Sequence, residues 1–171
     1  MDNQNFSLLE RIKDSEIYFS FIKSPTAIIS TIILIAMTNR EEFRIETGTI
    51  TSVSVLPATA EGANYKINLT TQGKLAGINY TSLWTYVQIQ RNDGSIYGGG
   101  DGVLTTECGE VVFLKGSGSA CGRRDDGAIE FKVINHQHTQ SEKLNDYNGT
   151  ACVGTYVVKA DGSTSATFSL L

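Results

Sequence analysis

Between Arg91 and Gly162, glycine-containing turn signals cut the chain into short runs of alternating polar and apolar residues. The cuts fall at Asn92-Asp93-Gly94, Cys108-Gly109, Asp125-Asp126-Gly127 and Asp161-Gly162. An Asp-Gly pair between alternating residues is a strong short-range hairpin signal, because Gly takes positive φ at no steric cost. Successive hairpins make an antiparallel meander, and closure into a barrel is the simplest way to remove its edges. From Thr47 the turns separate eight strands: around Thr49–Leu56, Tyr65–Thr70, Thr81–Gln90, Ser95–Thr106, Glu110–Ala120, Ala128–Thr139, Thr150–Val158 and Ser163–Leu170. The expected fold is all-β, an eight-stranded antiparallel meander closing into a barrel. Pro57, which cannot donate to a ladder, is expected to end the first strand.

One domain with an appendage follows. Residues 1–46 form an N-terminal extension, and residues 47–171 form the barrel. The extension carries Phe6, Leu9 and Ile12 at helical spacing, a break at Pro25, and an uncharged apolar run over 26–37. That run falls short of the about 20 residues of a membrane span. Three readings stand: an anchor, a helix or strand docked on the barrel, or an upstream extension with Met37 as the natural start. A start near Met37 implies a cytoplasmic protein. Retention of the run implies a membrane-anchored or exported one, and only then is a membrane a partner.

Apolar residues make up 40% of the chain and charged residues 19%, a globular composition rather than a disordered one. The net charge of −4 comes with no basic stripe, which argues against nucleic acid as a partner. Arg123-Arg124 is the densest cationic pair, and Asp125-Asp126 follows it directly. Cys108, Cys121 and Cys152 lack metal-ligand spacing and read as isolated thiols. A Cys108–Cys121 disulfide between neighbouring strands is the alternative, and it would require an oxidising compartment.

Gly98–Gly102 is not a phosphate loop, since Val103 continues as strand where a helix would have to begin. Strand curvature accounts for the glycines better. His136 and His138 share one face of their strand, but no third ligand accompanies them, and they read as a surface pair. Ile129, Phe131 and Val133 then face the core, which places Asn135 and Gln137 inside, near a barrel mouth. Polar groups in that position commonly orient a ligand.

The strand over Thr81–Gln90 admits two solutions. Either Leu83, Thr85, Val87 and Ile89 face the core, or Trp84 and Tyr86 do. The second solution makes a lumen pocket of Trp84, Tyr86 and Tyr97. Asp101 is the one acid among glycines that could line it. With Cys108-Gly109 as a two-residue turn, Phe113 is expected to pair near Leu104. A one-residue slip would exchange every inside and outside position. No catalytic triad, metal cluster or cofactor motif is present, and no cofactor is expected.

The segment from Asp93 to Gly118, DGSIYGGGDGVLTTECGEVVFLKGSG, resembles small uncharacterised prokaryotic proteins with an allene-oxide-cyclase-like β-barrel. Lys143-Leu144-Asn145 and the closing hairpin Lys159–Gly162 occupy matching places, so the likeness spans about Thr47 to Leu171. It implies a barrel. It also brings in the wider superfamily's cyclases, which direct one ring closure in an apolar lumen without a cofactor.

The leading functional expectation is a barrel that binds a small apolar or amphipathic ligand, lipocalin-fashion, with Trp84, Tyr86, Tyr97, Asp101, Asn135 and Gln137 as candidate ligand-binding residues. A lumen smaller than about 300 Å³ would remove the motive for such a ligand. The alternatives are a cofactor-free cyclase or isomerase, and a filled structural barrel that forms a homo-oligomer through an aliphatic outer face.

Overall fold

A computed structural model describes residues 42–171. The apolar run 26–37 and the readings attached to it lie outside the described residues. Eight strands, β1 (Glu42–Thr59), β2 (Gly62–Leu75), β3 (Ile78–Arg91), β4 (Ile96–Thr106), β5 (Val111–Ala120), β6 (Ile129–Thr139), β7 (Ala151–Val158) and β8 (Ser163–Leu170), follow one another in chain order. Each pairs antiparallel with the next, and β1 pairs with β8, so the sheet closes into a barrel. Among the described residues, no helix is long and apolar enough to cross a membrane.

The turns form where the sequence places them, with side chains fixing their geometry. Asp93 accepts from the Ser95 amide and hydroxyl at 2.9 and 2.7 Å, and Asp161 accepts from the Ser163 amide at 2.9 Å. These bonds, the serine hydroxyls' first, hold both carboxyls below their usual range.

The β4–β5 connection differs from the expected two-residue turn. Thr106 pairs with Glu110 through a 2.9 Å backbone bond, leaving Glu107, Cys108 and Gly109 as a three-residue loop with Gly109 at φ 85°. A type I turn closed by a left-handed residue is the usual three-residue solution. The register therefore sets Phe113 opposite Val103, and Val112 opposite Leu104. Phe113 faces outward and Leu104 is fully buried.

β1 departs from expectation at both ends. It starts at Glu42, ahead of Thr47, so Phe43, Arg44 and Glu46 belong to the barrel. It also runs through Pro57, where a register shift between Leu56 and Thr59 spares the sheet the missing N–H. Asn64 Nδ2 satisfies the Pro57 carbonyl at 2.9 Å.

Two apolar clusters fill the barrel ends. One gathers Phe43, Leu75, Tyr80, Leu104, Val112 and Phe168 around Leu144, which comes from a short 3₁₀ helix, Glu142–Tyr147, between β6 and β7. Leu144 is 1% exposed, and Tyr147 packs on Phe43 with ring centroids 4.7 Å apart, so this connection plugs its end of the barrel. Asn148 secures it with two bonds to the Thr139 backbone, at 2.8 and 2.9 Å. The other end packs Ile96, Ala120, Ile129, Phe131 and Val158.

All three cysteines are free. Cys108 lies in the loop before β5 and Cys121 directly after it. A ten-residue strand of about 3.3 Å per residue separates them, too far for a disulfide.

Candidate functional site in the barrel lumen

The ambiguity in β3 resolves toward an aromatic lumen. Trp84 and Tyr86 point inward, while Leu83 and Val87 are 66% and 40% exposed on the outside. The reason lies on the neighbouring strands. Trp84 pairs with Gly102, and Tyr86 with Gly100, which in turn faces Gly116. A Cβ at Gly102 would stand 2.5 Å from Trp84 Cε2, and one at Gly100 would stand 2.6 Å from Tyr86 Cβ. The glycines thus leave the space that the two aromatic side chains fill. Gly116 does the same for the Asn135 amide, which a Cβ there would overlap.

Between these rings and the facing strands remains a cavity of about 70 Å³. Leu69, Phe131, Val133 and Phe168 give it apolar walls, and the bare backbone of Gly98–Gly100 and Gly116–Gly118 lines one side. Its polar lining comes from Arg44, Glu46, Asn135, Tyr86, Tyr156 and the Trp84 indole.

Arg44 and Glu46 alternate on β1 and both turn inward, 1% and 5% exposed. Glu46 Oε2 accepts from the Tyr80 hydroxyl at 2.5 Å and from Thr71 Oγ1 at 3.2 Å, and Thr71 also shares a 2.6 Å bond with Ser82. Arg44 Nε lies 3.8 Å from the same oxygen, an ion pair without a hydrogen bond. The guanidinium stacks over Phe168 at 4.0 Å. With its amide oxygen turned toward Arg44, Asn135 accepts from Nη2 at 2.6 Å. Among the described residues, Arg44 Nε and Nη1, Trp84 Nε1 and the Tyr156 hydroxyl find no hydrogen-bond partner.

The tyrosines are held neutral. Burial, then the neighbouring Glu46 carboxyl, pushes Tyr80 far above its usual range. Burial, then adjacent Tyr86, does the same to Tyr156, and burial raises Tyr86 itself. Cys152, fully buried next to this cluster, is also raised by burial, with Arg44 opposing.

Of the residues singled out from sequence, Trp84, Tyr86 and Asn135 meet at the cavity. Gln137 is buried one inward position nearer the plugged end, where it bonds to Thr150 Oγ1 at 3.0 Å, and it does not line the cavity. Tyr97 faces outward, 36% exposed, with Arg91 over its ring at 5.5 Å. Asp101 is also on the outer face, paired with Thr85 and Lys115. Both follow from alternation, since Ile96, Gly98, Gly100 and Gly102 take the inward places on β4. His136 and His138 are exposed, and among the described residues no three His, Cys, Asp or Glu side chains group as a metal site.

Sequence reasoning missed Arg44 and Glu46. Both fall in the 1–46 extension of the sequence reading, ahead of the first expected strand, yet they lie buried on β1 on either side of Ile45, which is 45% exposed. The available signal was across the sheet, where Thr71, Tyr80 and Ser82 supply inward hydroxyls to receive a carboxyl.

No protein-family model matches the chain, and no curated protein matches it by sequence. Solved structures do match its fold. A conserved protein of unknown function from Rhodopseudomonas palustris is 18% identical with a TM-score of 0.66, covering 78% of this chain and 97% of that one. A protein of unknown function from Clostridium acetobutylicum is 17% identical, with a TM-score of 0.68 and coverage of 78% and 99%. A β-barrel-like protein from Acinetobacter baumannii is 17% identical, with a TM-score of 0.67 and coverage of 78% and 96%. At these identities the likeness concerns the barrel fold alone.

Proposed function

We propose that this chain is a small-molecule-binding barrel that holds one compact ligand in its lumen, among Arg44, Trp84, Tyr86, Asn135 and Tyr156. One observation carries the reading: a cavity bared by glycines receives polar groups from β1, β3, β6 and β7. The volume narrows the ligand. About 70 Å³ lies well below the about 300 Å³ of a pocket for a lipocalin-type ligand. It is also less than the engineered cavity of about 150 Å³ that takes benzene. A molecule of a few heavy atoms fits the space; a lipid does not.

Thermal unfolding against a panel of such fragments tests the reading. A ligand at a hundred times its Kd adds about 2.7 kcal/mol and a matching rise in Tm. A panel that leaves Tm unchanged throughout would remove it.

A second reading, the filled barrel that associates through its outside, draws support from the register. Leu83, Val103 and Phe113 are side-by-side neighbours on β3, β4 and β5, 66%, 41% and 52% exposed. Sedimentation equilibrium separates the two. A monomer at micromolar concentration excludes association through this row as the chain's role. A cofactor-free isomerase would act on the ligand at the same site, with Glu46, which lines the cavity, as its base; release of a chemically altered fragment would show it.

A further inference from the structure

The fully buried side-chain atoms of the cavity lining that lack a hydrogen-bond partner among the described residues are all donors. Arg44 Nε, Arg44 Nη1, Trp84 Nε1 and the Tyr156 hydroxyl are buried and unpartnered among the described residues. The first three only donate, and the fourth donates readily while burial keeps it protonated. Glu46 Oε2 already accepts from Tyr80 and Thr71, and the Asn135 oxygen accepts from Arg44 Nη2. Buried donors left unpaired are costly and call for an explanation, and a bound ligand is a physical one.

We propose that the lumen ligand is a small carboxylic acid whose carboxylate is received by Arg44, Trp84 and Tyr156. This rests on the binding reading above and specifies its ligand. A carbonyl offers two lone pairs, whereas a carboxylate offers about four acceptor sites on two oxygens, matching the four unpaired donor groups. Arg44 contributes the charge-assisted bonds, which are the stronger kind. The side chain over which it stacks, Phe168, and the walls from Leu69, Phe131 and Val133 suit a short hydrocarbon tail. A cavity of about 70 Å³ sets that tail at two or three carbons rather than a ring.

The chain contains a single tryptophan, Trp84, so one indole N–H resonance reports from inside the site. The full chain, labelled with ¹⁵N, is titrated at pH 7 and constant ionic strength with propionate, propionamide and inorganic phosphate. The expected result is a saturable shift of the indole resonance by propionate, with propionamide about tenfold weaker or more, as loss of a charged hydrogen-bond partner implies. Arg44→Met should abolish the preference for the acid. If that variant does not fold, the wild-type comparison of acid with amide decides alone. Equal responses to acid and amide would overturn the carboxylate assignment and leave the binding reading standing. A phosphate response matching that of propionate would overturn it in favour of a general anion site. No shift with any probe in this titration would overturn the carboxylate assignment, and an unchanged Tm across the fragment panel would then take the binding reading with it.

Discussion

The Trp84 indole lies where a side chain on Gly102 would have to be, with a Cβ at Gly102 only 2.5 Å from ring atom Cε2. The two residues are direct partners across β3 and β4. Gly102→Ala should therefore cost about 1–3 kcal/mol, the usual penalty for overpacking. Urea unfolding measures it, and a stability equal to wild type would mean that the indole does not occupy the lumen.

Register makes a sharper contrast between neighbours. Leu104 is fully buried and Leu83, across the β3–β4 pair, is 66% exposed. Leu104→Ala is expected to cost about 2–5 kcal/mol, against about 0.5 or less for Leu83→Ala in a monomer. Equal costs would place the β3–β4 register one residue away.

The two buried phenols nearest the charges should behave differently on losing their hydroxyls. Tyr80 donates to Glu46 at 2.5 Å, so Tyr80→Phe should cost about 1.5–3 kcal/mol at pH 7. The Tyr156 hydroxyl has no partner among the described residues, and Tyr156→Phe should be close to neutral or stabilising in the ligand-free protein. Denaturant midpoints of the two variants check the order, and a reversed order would refute the hydrogen-bond assignment.

Alkaline pH should weaken the fold in a defined direction. Tyr80, Tyr86 and Tyr156 are all raised above the ordinary value of 10.0 in the folded state. Their contribution is complete below the unfolded pKa and disappears as pH rises past about 10, by about 1.4 kcal/mol per pH unit for each group. Unfolding free energies from pH 8 to 11 should fall above pH 10, and less steeply in Tyr156→Phe. A flat profile would mean that the phenols are not buried.

Thiol chemistry reads burial at a third position. Cys108 and Cys121 are exposed, whereas Cys152 is fully buried and burial raises its pKa. A native sample should show two fast-reacting thiols with a disulfide reagent, and the third only on unfolding. Three fast thiols would contradict the packing of β7.

Most of the barrel was legible because its turns announce themselves. Asp93-Gly94 and Asp161-Gly162 fix hairpins locally, and the strands between them could only pair in sequence. Cys108-Gly109 was less informative, since two- and three-residue loops share that dipeptide, and the choice decides whether Phe113 meets Leu104 or Val103. The faces of β3 were open for a different reason. An aliphatic row and an aromatic row are equally compatible with burial when each strand is read alone. The glycines at positions 100, 102 and 116 settle the matter, because they have no use on the outside and make room on the inside. Arg44 and Glu46 were invisible to alternation. Their burial depends on hydroxyls brought from β2 and β3, a coincidence of register that no single strand records.

A small cavity and unpaired donors coexist in the lumen. A high-resolution crystal structure of the protein grown in propionate tests it most directly. A planar carboxylate is expected within hydrogen-bond distance of Arg44 Nη1 and Trp84 Nε1, with its tail toward Phe168. A closed lumen in which Arg44 bonds fully to Glu46, with no density beyond the protein, would contradict it.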